Sequence, residues 1–321
     1  MLTARQAVLD AGGVALERLM ERVEERMAVL ADGHGPLLSR HAGDTIAAGG
    51  KRLRPLLVCM AAGAPPPETE GLVSAAVAVE LVHGATLVHD DVLDAGALRR
   101  GRPTVFQAAG RRMATATGDL LFSRAFAELA STGSADAVRV LSRASSELAT
   151  GELMQRADAW SPQVSVERYL ERCRLKTAVL FRAACELGGL QGGGISESLG
   201  SFGEQIGVAF QILDDVLDVS GPPERTGKPR GSDLLDGTVT LPLIIARSRD
   251  RDLAGLEAGS VHTPAEANAV CDRIVATGAP ALARKRALEL VERAKSILSA
   301  LPDRQRVALE LVADGVVERY S

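Results

Sequence analysis

The pentapeptide DDVLD occurs twice in 321 residues, at Asp90–Asp94 and again, 124 positions on, at Asp214–Asp218. On a helix the first and last aspartates of each copy share one face, about 5–6 Å apart. Like charges at that spacing repel, so each copy calls for a cation. An all-carboxylate ligand set favours a hard, oxygen-seeking ion, and Mg²⁺ in particular where phosphate completes the shell. A single copy would read as a solvated helix surface. Here both copies adjoin apolar turns, LVHGATLV and GVAFQIL, and acid at the end of a buried helix is costly unless it binds something. A di-iron bundle is the other metal reading. It needs Glu-x-x-His twice, and the sequence holds that motif once, at Glu80–His83.

Acids that hold metal imply an anionic ligand, and three basic clusters follow the same logic. GGKRLRP carries Lys51, Arg52 and Arg54 behind two glycines; LRRGRPT carries Arg99, Arg100 and Arg102 just after the first acidic motif; GKPRGSD carries Lys228 and Arg230 just after the second. Arginine forks suit phosphate oxygens and lysine adds a point charge. Each cluster alone is an ordinary solvated surface, and GKPRGS lacks the spacing of a Walker A loop. Two acidic pairs with three basic loops describe a site for two diphosphates, one held through metals and one held directly.

The elements that position these groups read as helices. Segments between breakers are long, rich in alanine and leucine, and periodic at 3.6 residues, with few strand signals. The breakers fall at 61–71, 131–134, 160–163, 188–194, 220–237 and around 254–264. An all-α chain of roughly ten or more helices is expected. If both acidic motifs serve one site, residues 90 and 214 must meet, which argues for one domain over 1–321. The apolar fraction is 46% and the net charge −4 without a basic stripe, and nine aromatics leave little for base stacking, so a nucleic-acid partner is not expected. The four cysteines show no CxxC spacing and read as buried thiols of a reducing, cytoplasmic compartment. The N-terminal stretch reads as a surface helix, not a signal peptide. The apolar run 72–89 contains Glu80, His83 and His89 and reads as a core helix, so no stable membrane insertion is expected.

GGKRLRP, HDDVLD followed by RRGRPT, LKTA (175–178), FQILDDVLD and GKPRGSD…TLP, in that order, resemble the trans-prenyltransferase (polyprenyl diphosphate synthase) family. The resemblance runs from about residue 45 to 245, with a weaker echo at the C-terminus. It implies a helical bundle around a deep central cavity, usually a homodimer, that joins isopentenyl diphosphate to an allylic diphosphate with Mg²⁺. It assigns Asp90, Asp94 and Asp214 as metal ligands, with Asp91, Asp215 and Asp218 beside them as indirect or water-mediated partners. Lys51, Arg54, His83 and Arg100 match the pocket for isopentenyl diphosphate. Arg99, Lys176, Thr177, Gln211 and Lys228 match the grip on the allylic diphosphate, with Lys176, Thr177 and Gln211 at the reacting carbon. Gln211 also stands three and four residues before the second Asp pair, on one face. One departure is Thr238 in DGTVTLP, where many members carry lysine.

Thr86 and Ala85, four and five residues before Asp90, are small, and the motif has no insertion. The resemblance closes this level with an aromatic or an insertion in short-chain members, so a product longer than geranylgeranyl is expected; Phe122 or Phe126 closing the tunnel would give a shorter one. A class I terpene cyclase would not need GGKRLRP and normally carries a different second metal motif. A non-catalytic subunit of a heteromeric synthase usually lacks intact acidic motifs.

Overall fold

The computed structural model describes residues 4–32, 35–47, 49–50, 52–99, 101–194, 196–221, 229–256 and 260–318. Helices dominate them, in the all-α class the periodicity predicts. They group into two compact units, each assembled from several chain segments.

The first unit comprises residues up to 145, 180–203 and 298–312. It contains α1 (Ala4–Ala31), α2 (Pro36–Ala47), α3 (Leu53–Ala62), α4 (Glu70–Leu93), α5 (Val105–Ala130) and the first part of α6 (Ala135–Asp158). Helix α4 is its centre and packs along α5, α3 and α1. The Thr69 side chain caps its start by accepting from the Leu72 N–H, which satisfies one of the donors orphaned at a helix N-terminus. The helix is long and apolar enough to cross a membrane, and 72% of its apolar window is buried inside the protein. Its charge there is neutralised internally. Buried Glu80 accepts from Arg52 Nη1 at 3.0 Å, and the same guanidinium donates to Glu24 and to the Ile46 carbonyl. Arg52 of GGKRLRP is therefore a structural cation.

Two sequence readings of local structure change. The basic stretch after the first acidic motif is a short antiparallel pairing, Leu98–Arg99 against Arg102–Pro103, rather than a loop. The glycine-rich stretch at 188–194 breaks the chain only at its end: α8 (Val179–Gly192) continues past Gly188 and Gly189 and stops at Gly192. A Cβ at Gly188 would sit 2.2 Å from the Val58 carbonyl oxygen. Glycine here permits close approach of α8 to α3, outweighing its poor helix propensity.

The second unit comprises residues 146–179, 204–297 and the chain from 313. The rest of α6 leads to α7 (Val166–Cys173), a π-helical turn (Arg174–Ala178) and the start of α8. The later part of α9 (Ser196–Ser220) follows, then α10 (Ser232–Leu235), α11 (Leu241–Arg247), α12 (Arg251–Ala254), α13 (Pro264–Ala276), α14 (Ala279–Ile297) and the end of α15 (Asp303–Glu318). Helix α13 starts with a capping box between Thr263 and Glu266, and α11 packs on α14.

Candidate active site

In the first unit, the acidic motif forms the last turn of α4. Asp90 is half-exposed and Asp94 is the exposed C-cap, its N–H donating to the Asp90 carbonyl at 2.8 Å. Asp91 points elsewhere. It is buried, and Arg99 donates to its Oδ1 from Nε at 3.0 Å and from Nη2 at 2.8 Å. The hairpin is thus tied to the motif through Arg99. Thr104 reinforces the tie by donating to the Gly96 carbonyl and capping α5. A cavity of about 360 Å³ opens beside the hairpin, where Arg40, Arg99 and Arg102 bring three guanidinium groups.

His83 and Thr86 stand on the accessible face of α4 together with Asp90, all half-exposed, and the Thr86 hydroxyl donates to the His83 carbonyl. Ala85 lies on a buried side with Leu81, Val82 and Val88. The two small residues of the chain-length argument therefore face different ways. Phe122 is half-buried and stacks against His89, with ring centroids 5.8 Å apart. Arg54 lies on α3 with its guanidinium 4.8 Å above the Phe181 ring, a cation–π geometry. Lys51 and Arg100 lie outside the described residues.

In the second unit, the other acidic motif occupies the last turns of α9. Asp214 is half-exposed. Asp218 is mostly buried and accepts from the Ser232 N–H at 3.2 Å, the Ser232 hydroxyl at 2.7 Å and the Asp233 N–H at 3.3 Å, so it anchors the start of α10. Asp215 is buried and accepts from the Tyr169 hydroxyl at 2.6 Å and from Gln211 Nε2 at 2.7 Å. Burial pushes its carboxyl up to about 7; the two hydrogen bonds oppose that rise and the neighbouring Asp214 adds to it. Gln211 Oε1 in turn accepts from the Thr177 hydroxyl at 2.7 Å. Lys228 lies outside the described residues.

Thr177 sits in the π turn, where the Val179 N–H reaches back five residues to the Arg174 carbonyl. Such single wide turns are frequent at functional sites. Lys176 pairs with Glu152 of α6 at 2.5 Å, and Glu152 also pairs with Arg156 at 3.0 Å. Burial works to raise the Glu152 carboxyl, but these two cations outweigh it and hold it below its ordinary range. A Cβ at Gly151 would lie 2.5 Å from the Lys176 nitrogen, so glycine on α6 makes room for the π turn.

Sequence reasoning missed Tyr169 and Glu152. Glu152 had no visible signal. Tyr169 had one: it is one of two tyrosines in the chain and stands about two turns before Thr177.

The donor set fits Mg²⁺. Both acidic motifs occupy C-terminal helix turns, where the helix dipole already disfavours negative charge. Asp90, Asp94 and Asp214 offer hard oxygen donors at accessible positions; Asp91, Asp215 and Asp218 are buried and accept from protein donors. Among the described residues no three ligating side chains converge. Water and phosphate oxygens would then complete the shell, as Mg²⁺ prefers.

The polyprenyl synthetase family model matches residues 36–272. Heptaprenyl diphosphate synthase component 2 of Geobacillus stearothermophilus is 41% identical over 285 residues, 87% of this chain and 88% of that one. Geranylgeranyl diphosphate synthase of Methanosarcina mazei is 37% identical over 282 residues, 85% and 86% of the two chains. The crystal structure of a polyprenyl synthase from Caulobacter crescentus CB15, complexed with calcium and isoprenyl diphosphate, superposes with a TM-score of 0.89. It is 34% identical and covers 98% of this chain and 97% of that chain. The chain belongs to the polyprenyl synthetase family. It is a prenyl diphosphate synthase, a transferase of prenyl groups.

Proposed function

We propose that the protein condenses isopentenyl diphosphate with an allylic diphosphate, head to tail, to a product longer than geranylgeranyl diphosphate, with Mg²⁺ as cofactor. The observation that carries the reaction is the duplicated DDVLD at two helix C-termini, accompanied by the Thr177–Gln211 pair. Asp90, Asp94 and Asp214 would hold the metal. Bound there, Mg²⁺ neutralises charge on the allylic diphosphate. The calcium and isoprenyl diphosphate in the Caulobacter relative support a divalent ion and this ligand class.

The chain's own residues do the rest. Arg99, Lys176 and Lys228 oppose the charge of the allylic diphosphate, and Lys51, Arg54, His83 and Arg100 hold isopentenyl diphosphate. Thr177 and Gln211 present oxygen dipoles to the allylic carbon as its C–O bond breaks. The isopentenyl double bond then forms the new C–C bond, and the proton it loses goes to the released diphosphate. Water must be excluded, since it would capture the allylic cation.

Thr86 on the accessible face of α4, with no insertion in the motif, supports the longer product; the relatives' names span both lengths. We also read the chain as one catalytic domain, supported by relatives that align over nearly all of it, and as a cytoplasmic homodimer. Four buried thiols, with no disulfide among the described residues, support a reducing compartment. A second reading is favoured by one observation, the word "component" in the Geobacillus name: a two-protein synthase.

The test is turnover by the purified chain alone, given labelled isopentenyl diphosphate, geranyl diphosphate and Mg²⁺, followed by product sizing and molar-mass measurement. Labelled prenyl diphosphate beyond twenty carbons supports the proposal. Product only on adding a second protein supports the two-component reading, and a released cyclic hydrocarbon refutes both.

A further inference from the structure

We propose that Tyr169 is a positioning residue for prenyl transfer, acting through Asp215 and Gln211 on the hydroxyl of Thr177. The inference deepens the function proposed above and rests on it for the role of Thr177.

Four side chains form one continuous series of hydrogen bonds. The Tyr169 hydroxyl donates to Asp215 Oδ2 at 2.6 Å, Gln211 Nε2 donates to Asp215 Oδ1 at 2.7 Å, and the Thr177 hydroxyl donates to Gln211 Oε1 at 2.7 Å. Burial is graded along it. Tyr169 is fully buried and Asp215 is nearly so, while Gln211 and Thr177 are half-buried. Tyr169 therefore cannot touch substrate; only the far end of the series can.

The direction of the bonds follows from what each group can offer. The Tyr169 hydroxyl and Gln211 Nε2 both donate to Asp215, and these two bonds favour its ionised form against the effect of burial; that form accepts on both oxygens and donates on neither. Donors from Tyr169 and Gln211 satisfy one oxygen each. Gln211 must then turn its NH₂ toward Asp215, which leaves its carbonyl as the acceptor for Thr177. Thr177 spends its only proton on that carbonyl, so its oxygen can offer nothing but lone pairs to a second neighbour. An electron-deficient carbon is stabilised by lone pairs and not by an O–H, so this orientation is the productive one.

The series also fixes distance. Tyr169 and Thr177 stand on one continuous helical run, two turns apart, and Asp215 and Gln211 stand one turn apart on α9. The two helices are thus joined at two successive levels. The lower joint, Tyr169 to Asp215, is the dry one and holds the register of the upper one. Without the phenol, Asp215 Oδ2 loses its donor, the carboxylate is free to rotate, and Gln211 can flip its amide. Thr177 would then accept from Gln211 instead of donating to it.

Tyr169→Phe isolates this effect, because it keeps the buried ring and removes one hydroxyl. The expected result is a fall in kcat and in the single-turnover rate of about tenfold, the worth of one hydrogen bond to a charged group. KM for both diphosphates and the half-saturating Mg²⁺ concentration should stay within about twofold. In a Thr177→Ala background the same substitution should change kcat less than about twofold, since the group it positions is gone. Three results would overturn the inference: an unchanged kcat with only a lowered Tm, a shifted Mg²⁺ dependence, or rate losses that multiply in the double variant. A readout independent of turnover separates this inference from the function it rests on. The Gln211 side-chain NH₂ resonances, assigned with Gln211→Glu, should be slow to exchange in ¹⁵N-labelled wild type and averaged in Tyr169→Phe. Equal protection in both proteins would refute the positioning role even if the chain proved inactive.

Discussion

Replacing Thr86 by phenylalanine should shorten the product, and replacing Ala85 should not do so cleanly. Both residues are small and both stand about one turn below Asp90, yet they point about 100° apart around α4. Thr86 shares the accessible face with His83 and Asp90, whereas Ala85 is fully buried. Thr86 lies four residues before Asp90, about 6 Å along the axis at 1.5 Å per residue. A helical side chain leans toward the N-terminus, so a ring at 86 would obstruct the next turn down as well, to about 11 Å. Four chain bonds of an isoprene unit span roughly 5 Å, scaled from the three-bond reach of an extended peptide residue. Beyond the unit at the diphosphate there is room for about one or two more. Thr86→Phe should therefore stop elongation at about two to three units, geranyl or farnesyl in size. Ala85→Phe instead inserts a ring into a packed core and should cost about 1–3 kcal/mol. The assay is chromatographic sizing of dephosphorylated products from labelled isopentenyl diphosphate and geranyl diphosphate, with urea unfolding of the same proteins. The reasoning fails if Thr86→Phe makes the wild-type product, or if Ala85→Phe shortens the product at undiminished stability. A farnesyl-sized product from wild type would refute it outright.

Asp90→Ala and Asp214→Ala should each lower turnover by orders of magnitude while far-UV circular dichroism stays unchanged, because a repelling carboxylate is removed from a C-terminal helix turn; near-normal rates for Asp90→Ala would remove the metal assignment. Arg54→Ala should raise KM chiefly for isopentenyl diphosphate and Lys228→Ala chiefly for the allylic substrate, and equal changes in both constants for both variants would show that the basic clusters are wrongly sorted. Arg52→Leu should destabilise the protein by about 3–5 kcal/mol by stranding buried Glu80. Chemical denaturation measures it, and Arg52→Leu with Glu80→Leu together should recover most of the loss. Gly188→Ala should lower Tm by several degrees without altering KM, since its methyl group would press on the Val58 carbonyl.

Much of the chemistry was legible in the chain itself. The repeated DDVLD and the arginine clusters are covalent facts, and a helix of known pitch puts the first and last aspartates of each copy on one face. Alanine- and leucine-rich periodicity with few strand signals was enough for the all-α class, because helix periodicity is local. The pairing of Gln211 with Asp215, four residues apart on α9, was visible for the same reason. What needed tertiary structure was every choice set by a partner distant in sequence. Arg52 and Arg54 stand two positions apart in one basic cluster. Only packing sends Arg52 to Glu24 and Glu80 and Arg54 onto Phe181. The six aspartates look alike in sequence, but Arg99, Tyr169 and Ser232 claim Asp91, Asp215 and Asp218. The wide turn at Thr177 and the passage of α8 through Gly188 depend on the neighbours that Gly151 and Gly188 admit. Pitch decides which residues share a face; the helices packed around a face decide whether it is buried, and that is why Ala85 and Thr86 part company.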